Sequence, residues 1–438
     1  MRGALVLSTA VLFVWGAGCK GTSPVDPWCS DQPHSVETDV EAPTWHEHIE
    51  PLVRAKCQSC HTPGGLAPLD LTKLSSFSAA KSSVLAAVTT RRMPPFLASP
   101  CCTPYFTDRS LTDAELGRLV RFIENGAPEG DPARAPVREP PVPLLSRVDA
   151  TLQMPGAYSP KPPEGSTDDN RCFALEWPAD RDGFITGLAP RPGNRAVVHH
   201  LIVAALEGTA AEEARNLDLL DPLPGFDCNG GLGRFQGSAL LGGSLVGGDM
   251  PRGIGNAVKA GSTILLNIHY STSRLTEPQT DLTAVDFKIE PTALKSSSMV
   301  LTNPAWFVSD GMKVRAGDGD ASFFYSFKPH LFTGGKRVAL QGVTPHMHHF
   351  GNKVTVRILR ADGSETCLLD IPNWEFGWEQ PYWFAAPILL EPEDRVYVEC
   401  RFDNSPSNQP FGRAPRDFSW GGNDQDMCAA FLTYTDVP

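Results

Sequence analysis

Two kinds of metal chemistry are written into this chain. His199-His200, His269, His346-Met347-His348 and the late Met427 supply imidazole and thioether donors, enough for two copper ions. Such donors suit copper as it cycles between Cu(II) and Cu(I). Upstream, Cys57-Gln58-Ser59-Cys60-His61 is the c-type haem attachment pattern, in which two thiols form thioethers to the porphyrin and the histidine ligates the iron. Haem-type and copper-type donors on one chain point to electron transfer.

Spacing constrains how these donors can meet a metal. On a strand, side chains at i and i+2 share a face, so His346 and His348 can reach one ion. His349 then points the other way and reads as a structural histidine. A lone His-x-His is weak evidence by itself, since an exposed or hydrogen-bonded pair looks the same. His199 and His200 are neighbours, and neighbours on a regular strand face opposite sides. One shared ion therefore requires a bulge, or coordination through different ring nitrogens. The pair sits in the apolar run Val197-Val198-His199-His200-Leu201-Ile202-Val203, where imidazoles without partners are costly to bury. A metal is one such partner, and His269, within Leu265–Tyr270, could complete the set.

The haem iron needs a second axial ligand. Met93, in Arg91-Arg92-Met93-Pro94-Pro95, is the best candidate, because the prolines hold an extended loop. A thioether opposite a histidine raises the reduction potential. His46 and His48 are the rivals, for a bis-histidine site. Trp45 to Ala55 reads as the helix leading into the motif. Thr112-Asp113-Ala114-Glu115 is a capping box, Leu116, Leu119, Val120 and Ile123 form one apolar stripe, and Gly126 can end that helix. Together these features describe a small class I-like cytochrome c.

The elements that carry these groups follow from the rest of the sequence. A length of 438 residues predicts roughly two to four domains. Hydrophobic content of 41% and charged content of 20% are ordinary for globular chains. A net charge of −12 without a Lys/Arg stripe argues against nucleic acid as a partner. Arg2 and the apolar run Ala4 to Trp15 read as an export signal, ending in Gly16-Ala17-Gly18-Cys19. This resembles a bacterial lipoprotein signal with Cys19 as the lipidated residue; the alternative is ordinary secretion with Cys19 discarded. Membrane association would come only through that anchor, and the expected location is the periplasm or the outer membrane.

The chain therefore divides into a signal (1–19), a polar tether (20–40), an all-α cytochrome c domain (41–130) and a proline-rich linker (131–147). Short β-type runs follow: Ala196 to Ala205, Thr263 to Tyr270, Arg337 to Leu340, Val354 to Leu359 and Val396 to Phe402. The copper-type clusters fall into two sets, which predicts two β domains, 148–293 and 294–438. Export agrees with 11 cysteines. Setting aside Cys19, Cys57 and Cys60 leaves an even number, compatible with disulfides whose connectivity the sequence does not give.

The ordered motifs resemble a known family. His199-His200, His269-Tyr270, His346-Met347-His348 and Met427-Cys428 occur in the order seen in copper type II, ascorbate-dependent monooxygenases, which include peptidylglycine α-hydroxylating monooxygenase and dopamine β-hydroxylase. Glu399-Cys400-Arg401-Phe402 and the stretch Trp420 to Cys428 are also similar to that family, and the resemblance covers roughly residues 170 to 438. It implies two antiparallel, jelly-roll-like β-sandwich domains with a solvent-filled cleft between the metals. It implies that His199, His200 and His269 bind an electron-storing copper, and that His346, His348 and Met427 bind the catalytic copper that meets dioxygen. It also implies a Cys400–Cys428 disulfide beside Met427. Cys172 and Cys228, which bracket the His-His strand, are a second candidate pair. His330 matches a family position that supports a ligand, though a core histidine reads equally well.

Two departures bear on substrate. The peptide-amidating members carry an arginine where this chain has Thr344, and a tyrosine where it has Phe431, so the expected carboxylate clamp is missing. The expected activity is hydroxylation of a C–H bond in an unidentified small organic substrate with O2, with electrons from ascorbate or from a redox protein through the fused haem. The alternative is a non-catalytic redox lipoprotein that binds copper and haem for sensing, storage or electron transfer.

Overall fold

The computed structural model describes residues 38–437 apart from 64–66, 68, 107, 138–143, 165, 229–234, 236–237, 245, 273–274, 276, 309–310, 410–412 and 422–424. The signal, Cys19 and nearly all of the tether lie outside the described residues.

Strands form where the β-branched runs predicted them, with ends shifted by a few residues. The first half contains β1 (Ala150–Gln153), β2 (Asp168–Glu176), β3 (Gly183–Arg191), β4 (Val198–Leu206), β5 (Phe226–Asp227), β6 (Ala239–Gly243), β7 (Gly248–Asp249), β8 (Ile254–Val258), β9 (Thr263–Ser271), β10 (Ala284–Glu290) and β11 (Leu294–Lys295). The second half contains β12 (Ser297–Leu301), β13 (Ala321–Phe327), β14 (Val338–His346), β15 (Gly351–Leu359), β16 (Glu365–Ile371), β17 (Tyr382–Leu390), β18 (Arg395–Phe402) and β19 (Ala429–Asp436). They make four sheets, ordered β1-β10-β3-β8-β11 with β7 on β3, β5-β2-β9-β4-β6, β12-β19-β14-β17, and β13-β18-β15-β16. The first two sheets share a core that includes Phe173, Ile185, Leu201, Ile268 and Phe287. The last two share another, with Met299, Leu340, Val356, Phe402 and Leu432. The changeover falls at Ser296, since β11 still pairs with β8 while β12 pairs with β19.

Ahead of the sheets, a π-type turn (Trp45–Ile49) runs into α1 (Glu50–Lys56), followed by α2 (Leu74–Thr89) and α3 (Asp113–Glu124). The capping box at α3 is present in full: Thr112 accepts from the Glu115 N–H, and Glu115 accepts from the Thr112 N–H. Trp45, Phe77 and Phe122 pack ring against ring at 5.4–6.3 Å. Burying each such ring contributes roughly 1.5–3 kcal/mol. Phe122 joins the buried stripe that the sequence reading assigned to Leu116, Leu119, Val120 and Ile123.

The expected fold class, a separate all-α cytochrome c domain ahead of two β-sandwich domains, is overturned. The molecule is mostly strand, 36% against 19% helix. Ser35–Pro438 forms one compact unit, and the helices do not stand apart from the sheets. The connection between α2 and α3 is the physical reason. Phe96, Ala98 and Tyr105 sit in the core of the last two sheets, not among the helices. Ser99 N–H donates to the Asp370 carbonyl at 2.7 Å, Phe106 N–H donates to Trp383 O at 2.7 Å, and Tyr105 bridges Phe384. A Cys102–Cys367 disulfide fixes this strap to β16. Helix periodicity showed α3 but carried no information about where the preceding loop packs. Among the described residues, no helix is long and apolar enough to cross a membrane.

Candidate metal centres

β4 and β9 pair antiparallel, and the register slips at one place: Val198 faces Tyr270 and His200 faces His269, leaving His199 as the extra residue. A bulge re-aims the side chain of the residue it extrudes. It brings His199, His200 and His269 together, each offering a nitrogen within 4.8 Å of the others. The Nδ1 atoms of His199 and His200 lie 3.1 Å apart. Asp168 on β2, itself buried, is 3.0 Å from His269 Nε2, which leaves His269 Nδ1 toward the other two rings. Burial alone would raise the Asp168 carboxyl, but the His269 hydrogen bond and charge outweigh it and the net shift is downward. A carboxylate fixing a ligand histidine is the usual support of a metal site.

His346 ends β14, and His348 lies just past it in the following turn, so the pair does not share a regular strand as spacing predicted. Their rings are nonetheless 5.0 Å apart and nearly perpendicular. His346 Nδ1 pairs with Glu379 Oε1 at 2.9 Å, and His348 Nδ1 donates to the Gln425 carbonyl at 3.0 Å. Both arrangements leave the Nε2 atoms for another partner. β14 pairs with β19 so that His346 faces Ala429, and the same count carried on places 348 opposite 427. Asp426 holds these two turns together: its buried carboxylate accepts from the His348, Phe350 and Met427 N–H groups at 2.7–2.9 Å. Desolvation pushes the Asp426 carboxyl up to about 7. The Cys400–Cys428 disulfide sits next to Met427, and Cys172–Cys228 ties β2 to the segment after β5.

The two histidine sets meet at one residue that sequence reasoning missed. Phe376 is buried, with its ring 4.1 Å from His199, 5.9 Å from His200 and 5.6 Å from His348. The expected solvent-filled cleft is thus occupied here by an aromatic ring. His349 also departs from expectation. Its ring lies 4.4 Å from Phe376 and 6.2 Å from His199, facing the first set. His200 and His348 are held well below the ordinary imidazole value, first by burial and then by neighbouring imidazoles, so both are neutral and suited to bind a cation. His346 is raised: burial opposes this, but the Glu379 carboxylate wins. His330 is exposed at the start of a short helical turn.

Cys57 and Cys60 are free thiols, whereas Cys101, Cys102, Cys172, Cys228, Cys367, Cys400 and Cys428 are all disulfide-bonded. Burial pushes the Cys57 thiol up to about 12. His61 Nδ1 bonds to the Leu69 carbonyl at 3.0 Å, leaving Nε2 available, and burial lowers its pKa. Cys57 and Met93 pack against the same helical core. Arg195, four residues before His199, has a buried Nη1 with no hydrogen-bond partner; burial lowers its pKa against the opposing influence of the Cys60 thiol. Two adjacent thiols, a backbone-oriented imidazole, a thioether on the same core and an orphaned guanidinium nitrogen fit a covalently attached haem with carboxylates. Of the rivals, His46 pairs through Nε2 with Glu129, and His48 Nδ1 accepts from the Thr44 N–H, which in each leaves one ring nitrogen outside these bonds.

Asp168, Glu379, Asp426 and Phe376 carried no sequence signal, because each reaches its histidine from a distant segment. The disulfides point to an oxidising, extracellular or periplasmic compartment.

No family model matches the chain, and no curated protein matches it. The solved structures it resembles are remote. PNGase F, a glycosylasparaginase from Flavobacterium meningosepticum, is 11% identical, with 66% of this chain and 96% of that chain covered and a TM-score of 0.28. The major capsid protein P2 of bacteriophage PM2 is 8% identical, with 65% and 96% covered and a TM-score of 0.23. Likenesses this slight carry no argument about fold or function.

Proposed function

We propose that this chain is an exported copper-dependent monooxygenase that hydroxylates a C–H bond of a small organic substrate with O2. One observation carries the reading: the rings of His199, His200, His269 and His348 surround Phe376 from two sides, with His346 5.0 Å from His348. The motif order that resembles the copper type II, ascorbate-dependent monooxygenases agrees with it.

In this reading His199, His200 and His269 hold one copper, and His346, His348 and Met427 hold the other. Bound copper supplies one-electron redox chemistry and the activation of dioxygen. The residues of the chain do the rest. Asp168 keeps His269 in one tautomer by accepting a hydrogen bond from its Nε2–H. Glu379 and the Gln425 carbonyl do the same for His346 and His348 through Nδ1. The soft Met427 thioether favours the reduced ion. Phe376 excludes water from the space between the sets. Cys57, Cys60 and His61, with Met93, hold a haem c that delivers electrons, alongside or in place of ascorbate. Lipidation at Cys19 would anchor the chain to a periplasmic membrane surface, and loss of labelled fatty acid in Cys19→Ser would test it.

A second reading, a copper- and haem-binding redox protein without catalysis, is favoured by Phe376 filling the space a substrate would need. A cavity of about 60 Å³ lies near Gly242, Gly248, Gln380 and Trp383, and no histidine lines it. The deciding experiment is metal analysis followed by oxygen uptake with labelled O2 and a reductant. Two coppers and one iron per chain, with substrate-dependent uptake and label in an alcohol product, support the monooxygenase. Full metal content without substrate-dependent uptake selects the second reading. Iron alone refutes both.

A further inference from the structure

The segment Phe376–Gln380 touches each part of the proposed centre. Phe376 contacts both histidine sets. Three residues on, Glu379 Oε1 pairs with His346 Nδ1 at 2.9 Å, and its carbonyl accepts from Ser244 Oγ at 2.6 Å. The next residue, Gln380, is buried and donates from Nε2 to the Pro95 carbonyl at 2.6 Å. Pro95 lies two residues beyond Met93. The contact is backed by packing, with Phe96 edge-on to Tyr382 at 5.1 Å and to Tyr105 at 5.5 Å. Two peptide links, a hydrogen bond, one further peptide link and a second hydrogen bond therefore join Met93 to His346. A buried hydrogen bond in a low-dielectric interior holds direction as well as distance.

The first set is reached by another route. Its ligands lie on β4 and β9, and Asp168 on β2 supports His269. Its ties to the same segment are the Phe376 ring and Ser244, whose Oγ donates to the Glu379 carbonyl and whose N–H donates to the Leu201 carbonyl beside His200.

On the haem and copper reading above, we propose that Gln380 is a positioning residue coupling the Met93 loop to the carboxylate that orients His346, so that engagement of Met93 is felt at the His346/His348/Met427 set. Deuterium exchange of the full-length chain tests the tie without any metal. Gln380→Leu should raise exchange at least tenfold in peptides spanning 91–97 and 343–350, while 284–290 on β10 keeps its wild-type rate. Wild-type exchange in either of the first two segments, or a rise that spreads to 284–290, overturns the proposal. A second measurement leaves Gln380 intact. In haem-loaded, copper-loaded protein, Met93→Ala should shift the Cu(II) resonance of the His346 set. Unchanged spectra, or a shift confined to the His199 set, overturn it. A chain that takes up neither group refutes the functional reading, and the exchange comparison still decides the coupling.

Discussion

His200 stands directly across from His269 on the β4–β9 ladder, and His199 is the residue extruded to make that alignment. Because His199 is outside the paired register, replacing it removes a metal donor without removing a ladder partner. His199→Ala should keep the wild-type circular dichroism spectrum and a melting temperature within a few degrees, yet lose copper from the first set. Copper titration with a competing chelator reads the loss. A collapse of the fold in this variant would show that the extruded ring carries packing instead.

Asp168 acts on the same site from one strand away. Outer partners of ligand histidines typically contribute 10–100-fold in metal affinity, and about that loss is expected for Asp168→Asn. The chelator titration should show the change at one copper and not at the other. Equal weakening of both would contradict the separate support of the two sets.

Phe376→Ala tests what the ring excludes. Truncating a buried phenylalanine costs roughly 3–5 kcal/mol, so a lowered melting temperature is expected. Copper should also leave faster to an added chelator, and oxygen consumption without substrate should rise. Chelator rates equal to wild type would show that the ring does not guard the metals.

The Cys400–Cys428 bond spans a sequence separation of 28 and fixes the chain on which Met427 is carried. Cys400→Ser with Cys428→Ser should cost about 2–4 kcal/mol in chemical denaturation. Copper binding at the His346 set should weaken more than at the His199 set. Equal loss at both, or none, would separate the disulfide from the thioether site.

Much of this was legible in sequence because the signals were local. The apolar run at Val197–Val203 marked a strand, and for one shared ion strand periodicity left a bulge at His199-His200 or coordination through different ring nitrogens; the β4–β9 register has the bulge. The Thr112–Glu115 box marked the start of α3. What stayed hidden depends on tertiary contact. Asp168, Glu379 and Phe376 lie 101, 33 and 177 positions from the histidines they serve (His269, His346 and His199), and no periodicity links them. The separate cytochrome domain failed for the same reason. Phe96 and Tyr105 look like loop residues of a helical segment, but their rings pack against Tyr382 and Phe384 of β17.

The Cys102–Cys367 bond has a consequence for biogenesis. With 265 positions between the two thiols, the bond cannot close until most of the polypeptide has emerged on the oxidising side of the membrane. An excised fragment spanning 41–130 would carry orphan thiols and bare aromatic surface, and should precipitate or be degraded. Maturation of the Cys57–His61 segment is thereby made to wait for the far end of the polypeptide.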